Sequence, residues 1–111
     1  MKIKIKEIQL EVKEMRGLNK LLGLMIYKQA LLFNFNKPTR IAIHSLFCPK
    51  FLAIWLDKNN KIIEYKIINS GQFKISPKKD FYKLIEIPIN KRYSKILSKF
   101  ASKSLIKETL K

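Results

Sequence analysis

The sequence has little cysteine and lacks long hydrophobic runs. Cys48 is its single cysteine, so an intramolecular disulfide is excluded. The first residues, Met-Lys-Ile-Lys-Ile-Lys, contain no apolar run of the kind that a secretory signal peptide needs. The stretch 41–49 near the middle of the chain falls far short of the roughly 20 apolar residues of a membrane-spanning helix. We therefore expect a cytoplasmic protein without a membrane-spanning segment.

Acidic residues and histidine are also scarce. The chain has eight acidic residues and one histidine, His44. General acid–base catalysis usually needs two ionisable groups that lie close together and have different pKa values. No acidic residue lies between Met15 and Leu56, the stretch that contains His44, and the sequence has no glycine-rich phosphate loop or nucleophile elbow. We assign no catalytic residue and place a hydrolase or transferase last among the candidate functions.

Metal-ligating residues are too few for a recognisable site. His44 and Cys48 are four positions apart, a spacing that would put two ligands on one helical face, but Pro49 and the extended pattern around them argue against a helix. A site built from this pair would lack further ligands. We expect no metal and no cofactor, and we interpret Cys48 as a small buried hydrophobic residue.

Basic residues, by contrast, are abundant. The chain carries 24 Lys and Arg residues, a formal net charge of +16 and a pI of about 10.1, which is typical of proteins whose partners carry phosphates or anionic lipids. All but three of these residues are Lys, and bidentate recognition of phosphates and guanines favours Arg. Compositional bias toward Lys, Ile and Asn is therefore an alternative explanation of the charge.

The length and the hydrophobic pattern predict one domain over residues 1–111. A chain of this size buries a single core, and 47% of the residues are hydrophobic. We expect an α+β fold, either a mostly antiparallel β-sheet or a partly closed barrel, with a short helix in the N-terminal half and a C-terminal helix. The predicted elements are a strand over Lys2 to Val12 with a phase slip at Lys6 and Glu7, a helix over Lys13 to Gly23, strands over Leu31 to Phe35 and Ile41 to Ile43 with a turn at 36–38, and a strand over Phe81 to Ile89.

A hairpin around Asn59 and Asn60 is the clearest local signal. Two such residues tolerate positive φ and suit a two-residue type I′ turn. That register pairs Leu56 with Ile63, Ile54 with Tyr65, and Leu52 with Ile67. We expect these six side chains to share one buried face and the opposite face to be mixed.

The C-terminal segment, about residues 90–109, predicts an amphipathic helix. An apolar stripe at steps of three and four residues should pack on the sheet, and it comprises Tyr93, Ile96, Leu97, Phe100 and Ala101. A basic ridge recurs every four residues and comprises Lys91, Lys95, Lys99, Lys103 and Lys107. The ridge is either a solvated helix face or a polyanion-binding surface for nucleic acid, with an anionic membrane surface as the less favoured partner.

Five short motifs, in order, resemble those of the domain-of-unknown-function 192 family, most closely in the form found in archaeal members. They are Gly23-Leu24-Met25, Leu31-Leu32-Phe33, Ile43-His44-Ser45-Leu46-Phe47, Ile54-Trp55-Leu56-Asp57 and Leu84-Ile85-Glu86-Ile87-Pro88. The resemblance covers about residues 18–90 and implies a β-rich α+β fold, but no established activity. The sequence departs from the family where many members have an Asp, here Ala53, and where a Gly-Asp step is replaced by the Lys-rich segment.

The most distinctive polar pair is His44 with Glu86. Glu86 alternates with Tyr82 and Leu84, so its carboxyl group is expected on a partly buried side, where it needs a hydrogen-bonding partner. His44 could supply a structural bond that fixes the loop after Ile43. Alternatively, His44, Trp55 and Glu86 line a small-molecule pocket. Our first interpretation of function is a noncatalytic binding or accessory module with a basic surface for nucleic acid, and a small-molecule-binding domain is the second.

Overall fold

The computed structural model describes residues 1–15, 29–45, 48–72 and 74–100. Strands dominate these ranges, and a short helical segment follows them, so the α+β class with mostly antiparallel sheet is confirmed. The strands form open sheets and no closed barrel within the described ranges. The elements are β1 (Lys2–Ile5), β2 (Ile8–Glu11), β3 (Lys13–Met15), β4 (Leu31–Thr39), β5 (Phe51–Leu56), β6 (Ile62–Ile68), β7 (Phe81–Pro88), a 3₁₀ turn (Lys91–Tyr93) and α1 (Ser94–Leu97).

A five-stranded sheet in the order β3-β4-β7-β5-β6 forms the centre of the molecule. The β3–β4 pair is parallel and the other pairs are antiparallel. All six residues of β5 are buried, because both faces of the sheet are covered at this position. This explains the continuous apolar sequence Phe-Leu-Ala-Ile-Trp-Leu, where a sheet with one solvated face would show alternation.

One face of the sheet is covered by the β1–β2 hairpin and by the C-terminal segment. We call it the hairpin face; its buried sheet residues are Leu32, Leu52, Ile54, Leu56, Ile85 and Ile87. Tyr93, Ile96 and Leu97 pack there, as the apolar stripe predicts, and Phe100 packs against them partly buried. The Tyr93 hydroxyl accepts a hydrogen bond of 2.8 Å from the backbone N–H of Ala30. The helical segment is shorter than predicted within the described residues, and positions 101–109 lie outside them.

The opposite face is covered by the connections between strands, and we call it the loop face. Its buried sheet residues include Leu31, Phe33, Phe51, Ala53, Trp55 and Leu84, and Cys48 and Ile75 pack on them. Cys48 is therefore a buried hydrophobic residue, as predicted. Ile43 pairs with Ile75 in an isolated antiparallel bridge, which is all that forms of the strand predicted over Ile41 to Ile43.

The predicted phase slip at Lys6 and Glu7 is a hairpin turn. Both residues have positive φ, 47° and 68°, as a two-residue type I′ turn requires. The chain reverses there, and Ile5 pairs with Ile8. The prediction of one strand over Lys2 to Val12 is wrong, because the chain reverses at the phase slip and forms two antiparallel strands.

The hairpin between β5 and β6 has a different turn from the predicted one. Asn60 has a φ of 65° but Asn59 does not have positive φ, and the Asp57 carboxylate accepts hydrogen bonds from the backbone N–H groups of Asn59 (2.8 Å) and Lys61 (2.9 Å). This is the three-residue loop in which a type I turn precedes one left-handed residue. The sequence signal that was missed is Asp57, whose side chain organises the loop.

The longer loop changes the register at one end of the hairpin. Leu52 pairs with Ile67 and Ile54 with Tyr65, as predicted, but a bulge between Trp55 and Leu56 pairs Leu56 with Ile62. Ile62 therefore packs on the hairpin face and Ile63 on the loop face. Tyr65, predicted to be buried, is 44% exposed because β6 is an edge strand.

Two further predictions need correction. The segment Lys13–Met15 is strand β3, so the predicted helix does not begin at Lys13, and the remainder of that prediction lies outside the described residues. The predicted strand over Leu31 to Phe35 is confirmed but continues as β4 to Thr39. Asn36, with a φ of 58°, and the residues after it form an irregularity within the strand, where we predicted a turn.

Candidate functional site

The described part of the basic ridge is solvent-exposed. Lys91, Lys95 and Lys99 are exposed, as is their neighbour Arg92, while the apolar residues between them are buried. Lys103 and Lys107 lie outside the described residues. No acidic residue occurs between Glu86 and Glu108, so nothing in the sequence of this segment offsets its positive charge.

The fold places a second basic segment, the β1–β2 hairpin, next to this ridge. Lys2 and Lys4 on β1 and Lys6 in the turn after it are exposed and alternate with buried Ile3 and Ile5, so ammonium groups line the outward side of the hairpin. The Lys6 Nζ donates a 3.1 Å hydrogen bond to the backbone carbonyl of Lys99 and so joins the hairpin to the C-terminal segment. We call the combined set the basic surface; it comprises Lys2, Lys4, Lys6, Lys91, Arg92, Lys95 and Lys99.

Acidic groups beside the basic surface are engaged locally. Glu7 lies 3.2 Å from the Lys4 ammonium, and Glu11 accepts from the N-terminal amine at 3.0 Å. These pairs are more than half exposed, so they contribute little stability. They leave the surface with a large excess of positive charge.

An aromatic pair lies where the hairpin meets the C-terminal segment. The rings of Tyr65 and Phe100 are 4.9 Å apart in a T-shaped arrangement. The Lys6 ammonium is 4.4 Å from the centre of the Phe100 ring and 5.5 Å from that of Tyr65, within the range of a cation–π interaction. A partly exposed aromatic side chain therefore stands at the border of the basic surface, a feature that sequence analysis missed because the three residues are far apart in the chain.

The residue that anchors the loop after Ile43 is Ser45. Its buried hydroxyl donates a 2.6 Å hydrogen bond to the Asn69 carbonyl and accepts one of 2.8 Å from the Gln72 N–H. His44 beside it is exposed. The roles predicted for His44, in the pocket or in a bond to Glu86, stay predictions.

Trp55 and Glu86 lie close together on the loop face. Trp55 is opposite Leu84 and Ala53 is opposite Glu86, so Trp55 and Glu86 are diagonal neighbours on adjacent strands. Trp55 is fully buried and Glu86 is 6% exposed. The indole Nε1 has no hydrogen-bond partner in the described ranges, and burial raises the pKa of Glu86 to about 8. At neutral pH the carboxyl group is therefore mostly protonated.

Glu64, across from Trp55 on β6, has a different environment. Burial acts to raise its pKa, but a hydrogen bond from the Lys78 N–H at 3.1 Å and the neighbouring Lys66 ammonium together hold the pKa below its usual range. Lys66 Nζ lies 3.1 Å from Glu64 Oε2 and forms an ion pair with it. The same ammonium is 5.9 Å from the Trp55 ring. Glu64 is thus ionised when Glu86 is neutral.

Within residues 1–15, 29–45, 48–72 and 74–100, no group of three or more His, Cys, Asp or Glu side chains could hold a metal ion. In the same ranges, no helix has the length and apolar character to cross a membrane.

The fold is shared with solved structures. No family model and no curated protein matches the chain, so the resemblance to the domain-of-unknown-function 192 family stays a prediction. A protein from Sinorhizobium meliloti 1021, named a "putative transcription regulator", is similar with a TM-score of 0.66 and 12% identity over 78% of this chain and 77% of that one. A protein of unknown function from Novosphingobium aromaticivorans DSM 12444 has a TM-score of 0.66 and 9% identity over 86% of this chain and 75% of that one. At these identities the similarity is one of fold.

Proposed function

We propose that this protein is a noncatalytic module that binds nucleic acid through its basic surface. The observation that carries the proposal is the contact between Lys6 and Lys99, which brings two basic segments together at one side of the sheet. Lysine side chains neutralise phosphates as point charges, so binding depends on charge density more than on base sequence. A cytoplasmic location, as expected from the sequence, is in keeping with such a partner.

Single-stranded nucleic acid is the form that the surface favours. Proteins that bind single strands combine a basic track with aromatic rings on which bases stack, and the 44% exposed Tyr65 lies beside Lys6. The chain has only three Arg residues, the type that reads guanine edges in a groove, which gives less support for reading base pairs. The name of the similar Sinorhizobium meliloti protein adds weak support for a nucleic-acid partner.

Salt-dependent binding tests this function. An oligothymidine of about 15 nucleotides, the matching duplex and vesicles rich in phosphatidylserine would be titrated between about 50 and 200 mM salt. We expect the single strand to bind best, with an affinity that falls steeply as salt rises. Binding to vesicles alone would overturn the proposal in favour of a membrane surface.

A matched pair of triple variants locates the binding surface. Changing Lys2, Lys95 and Lys99 to Gln should flatten the log–log salt slope by roughly two units, since each lysine that neutralises a phosphate of a single strand contributes about 0.7. The control changes Lys37, Lys58 and Lys74, which are exposed outside the basic surface, and should leave the slope nearly unchanged. Equal effects of the two variants would show that net charge, and not this surface, determines binding.

A further inference from the structure

We infer that two copies of this chain pair through their β6 strands, antiparallel and centred on Tyr65, so that their central sheets join into one. The inference does not rest on nucleic-acid binding. It uses the backbone edge of β6 and the side chains of Glu64 and Lys66, and neither of these side chains belongs to the basic surface. Either proposal can therefore fail without the other.

The outer edge of β6 is open for pairing. β6 is the last strand in the order β3-β4-β7-β5-β6, and in the described ranges no strand lies on its other side. Every second residue of an edge strand presents an unpaired N–H and C=O outward, which another strand can take up. β6 spans seven residues and has no proline, whereas the opposite edge strand, β3, spans three residues. β6 is therefore the better template for a further strand.

The sequence of β6 is complementary to itself when two copies run antiparallel. A twofold axis at Tyr65 places Tyr65 opposite its own copy and Glu64 opposite Lys66 of the second copy, twice in each dimer. Opposite residues of an antiparallel pair share a face, and opposite charges at such positions attract each other. Glu64 and Lys66 do share a face, since they stand opposite Trp55 and Ala53 on the loop face.

Apolar side chains flank this charged centre on both sides. Ile62 and Ile67 both pack on the hairpin face and are only partly buried. The bulge at this end of the hairpin leaves Ile62 on the same face as Ile67, so pairing about Tyr65 brings Ile62 of one copy near Ile67 of the other. Their remaining exposed area is then removed from water, which adds a hydrophobic contribution to the backbone hydrogen bonds.

Net charge opposes the pairing and limits its strength. Each copy carries a formal charge of +16, and the Lys6 ammonium lies 5.5 Å from the centre of the Tyr65 ring, so like charges approach each other at the seam. Pairing of one strand with another buries little area and falls at the weak end of protein interfaces. We expect a dimer that forms at high micromolar concentration and becomes stronger as salt screens the repulsion. Nucleic-acid binding has the opposite salt response.

Sedimentation equilibrium of the full chain tests the pairing. Between about 10 and 1,000 µM protein, the average mass should rise from 13.1 kDa toward twice that value. The rise should be steeper at about 500 mM salt than at about 50 mM salt. Amide hydrogen exchange over the same concentrations should show added protection in β6 and none in β3.

Reciprocal charge changes locate the seam. Glu64→Lys and Lys66→Glu should each weaken the dimer about tenfold or more, because like charges then face each other across the twofold axis. An equimolar mixture of the two variants should dimerise like the parent, because one chain presents two positive groups and the other two negative groups. Within each chain the charges remain alike, so recovery on mixing comes from contacts between chains. Recovery also shows that both variants are folded.

Glu11→Lys and Lys37→Glu are the matched controls. They change the net charge by the same amounts at exposed positions outside β6. If net charge alone matters, a gain of positive charge weakens the dimer and a loss strengthens it. We expect the controls to show this small, opposite pair of effects, whereas Glu64→Lys and Lys66→Glu should both weaken the dimer.

Three results would overturn the inference. They are a chain that stays monomeric at about 1 mM in high salt, a dimer that survives both β6 variants, and a mixture that dimerises no better than either variant alone. Loss of the dimer in the Lys2, Lys95 and Lys99 triple variant would also contradict it, because removing positive charge outside β6 should strengthen the pairing. The oligothymidine titration is read separately, so none of these results decides nucleic-acid binding.

Discussion

At the scale of single residues, Glu86 links stability to pH. Its carboxyl pKa is raised by burial from 4.5 to about 8, so the folded state holds a proton that the unfolded chain releases above about pH 4.5. The contribution of the protonated Glu86 to stability is complete below about pH 4.5, falls as pH rises, and is lost above about pH 8. The upper limit of this loss is roughly 5 kcal/mol, from 1.36 kcal/mol per pKa unit.

Glu86→Gln should remove this pH dependence because the amide does not titrate. We expect the variant and the parent to have similar unfolding free energies near pH 5 and the variant to be more stable by several kcal/mol near pH 8.5. Urea unfolding followed by Trp55 fluorescence measures the unfolding free energy of each protein at each pH. Parallel pH profiles for the two proteins would show that Glu86 titrates normally.

At the scale of elements, the two hairpins show how turn chemistry determines register. The turn at Lys6 and Glu7 has two residues with positive φ, although neither residue type is favoured there. The turn at Asp57–Lys61 has one such residue, Asn60. Its extra residue produces the bulge that moves Ile62 to the hairpin face.

The left-handed conformation of Asn60 predicts opposite effects of two small substitutions. Asn60→Gly should leave stability unchanged or raise it slightly, because glycine adopts a φ of 65° without strain. Asn60→Ala should cost about 1 kcal/mol, since a Cβ without a helpful polar group disfavours this region. Thermal unfolding compares the stabilities of the two variants. As a control, the same two changes are made at Asn59, whose φ is not positive, and there the Ala variant should be the more stable.

At the scale of the whole molecule, burial is most complete in β5 and β7. Ile54 is fully buried in the middle of the sheet, and Ile54→Ala should cost about 2 to 5 kcal/mol. Tyr65, its direct partner on edge strand β6, is 44% exposed, and Tyr65→Ala should cost much less. Equal losses in denaturant unfolding, or a loss below about 0.5 kcal/mol for Ile54→Ala, would contradict the observed packing.

Much of the fold could be predicted from short-range patterns. The apolar-rich segments of β5 and β7 and the apolar stripe at Tyr93, Ile96 and Leu97 predict elements that the structure contains. The turn between β5 and β6 was predicted wrongly because the contact from the Asp57 carboxylate competes with the preference of Asn59 and Asn60 for a tighter turn. The short strand at Lys13–Met15 exists through its parallel pairing with β4, a long-range contact that overrides local helical spacing.

The sequence by itself determined the excess of positive charge, the scarcity of catalytic groups and the uniqueness of Trp55, because composition does not depend on folding. Tertiary structure alone decided which of these residues meet. Insertion of β7 between β4 and β5 puts Glu86 beside Ala53 and diagonal to Trp55, and the packing of two segments on one sheet face brings Lys6 to Lys99. Such pairings join residues dozens of positions apart, and local periodicity carries no information about which strands will be neighbours.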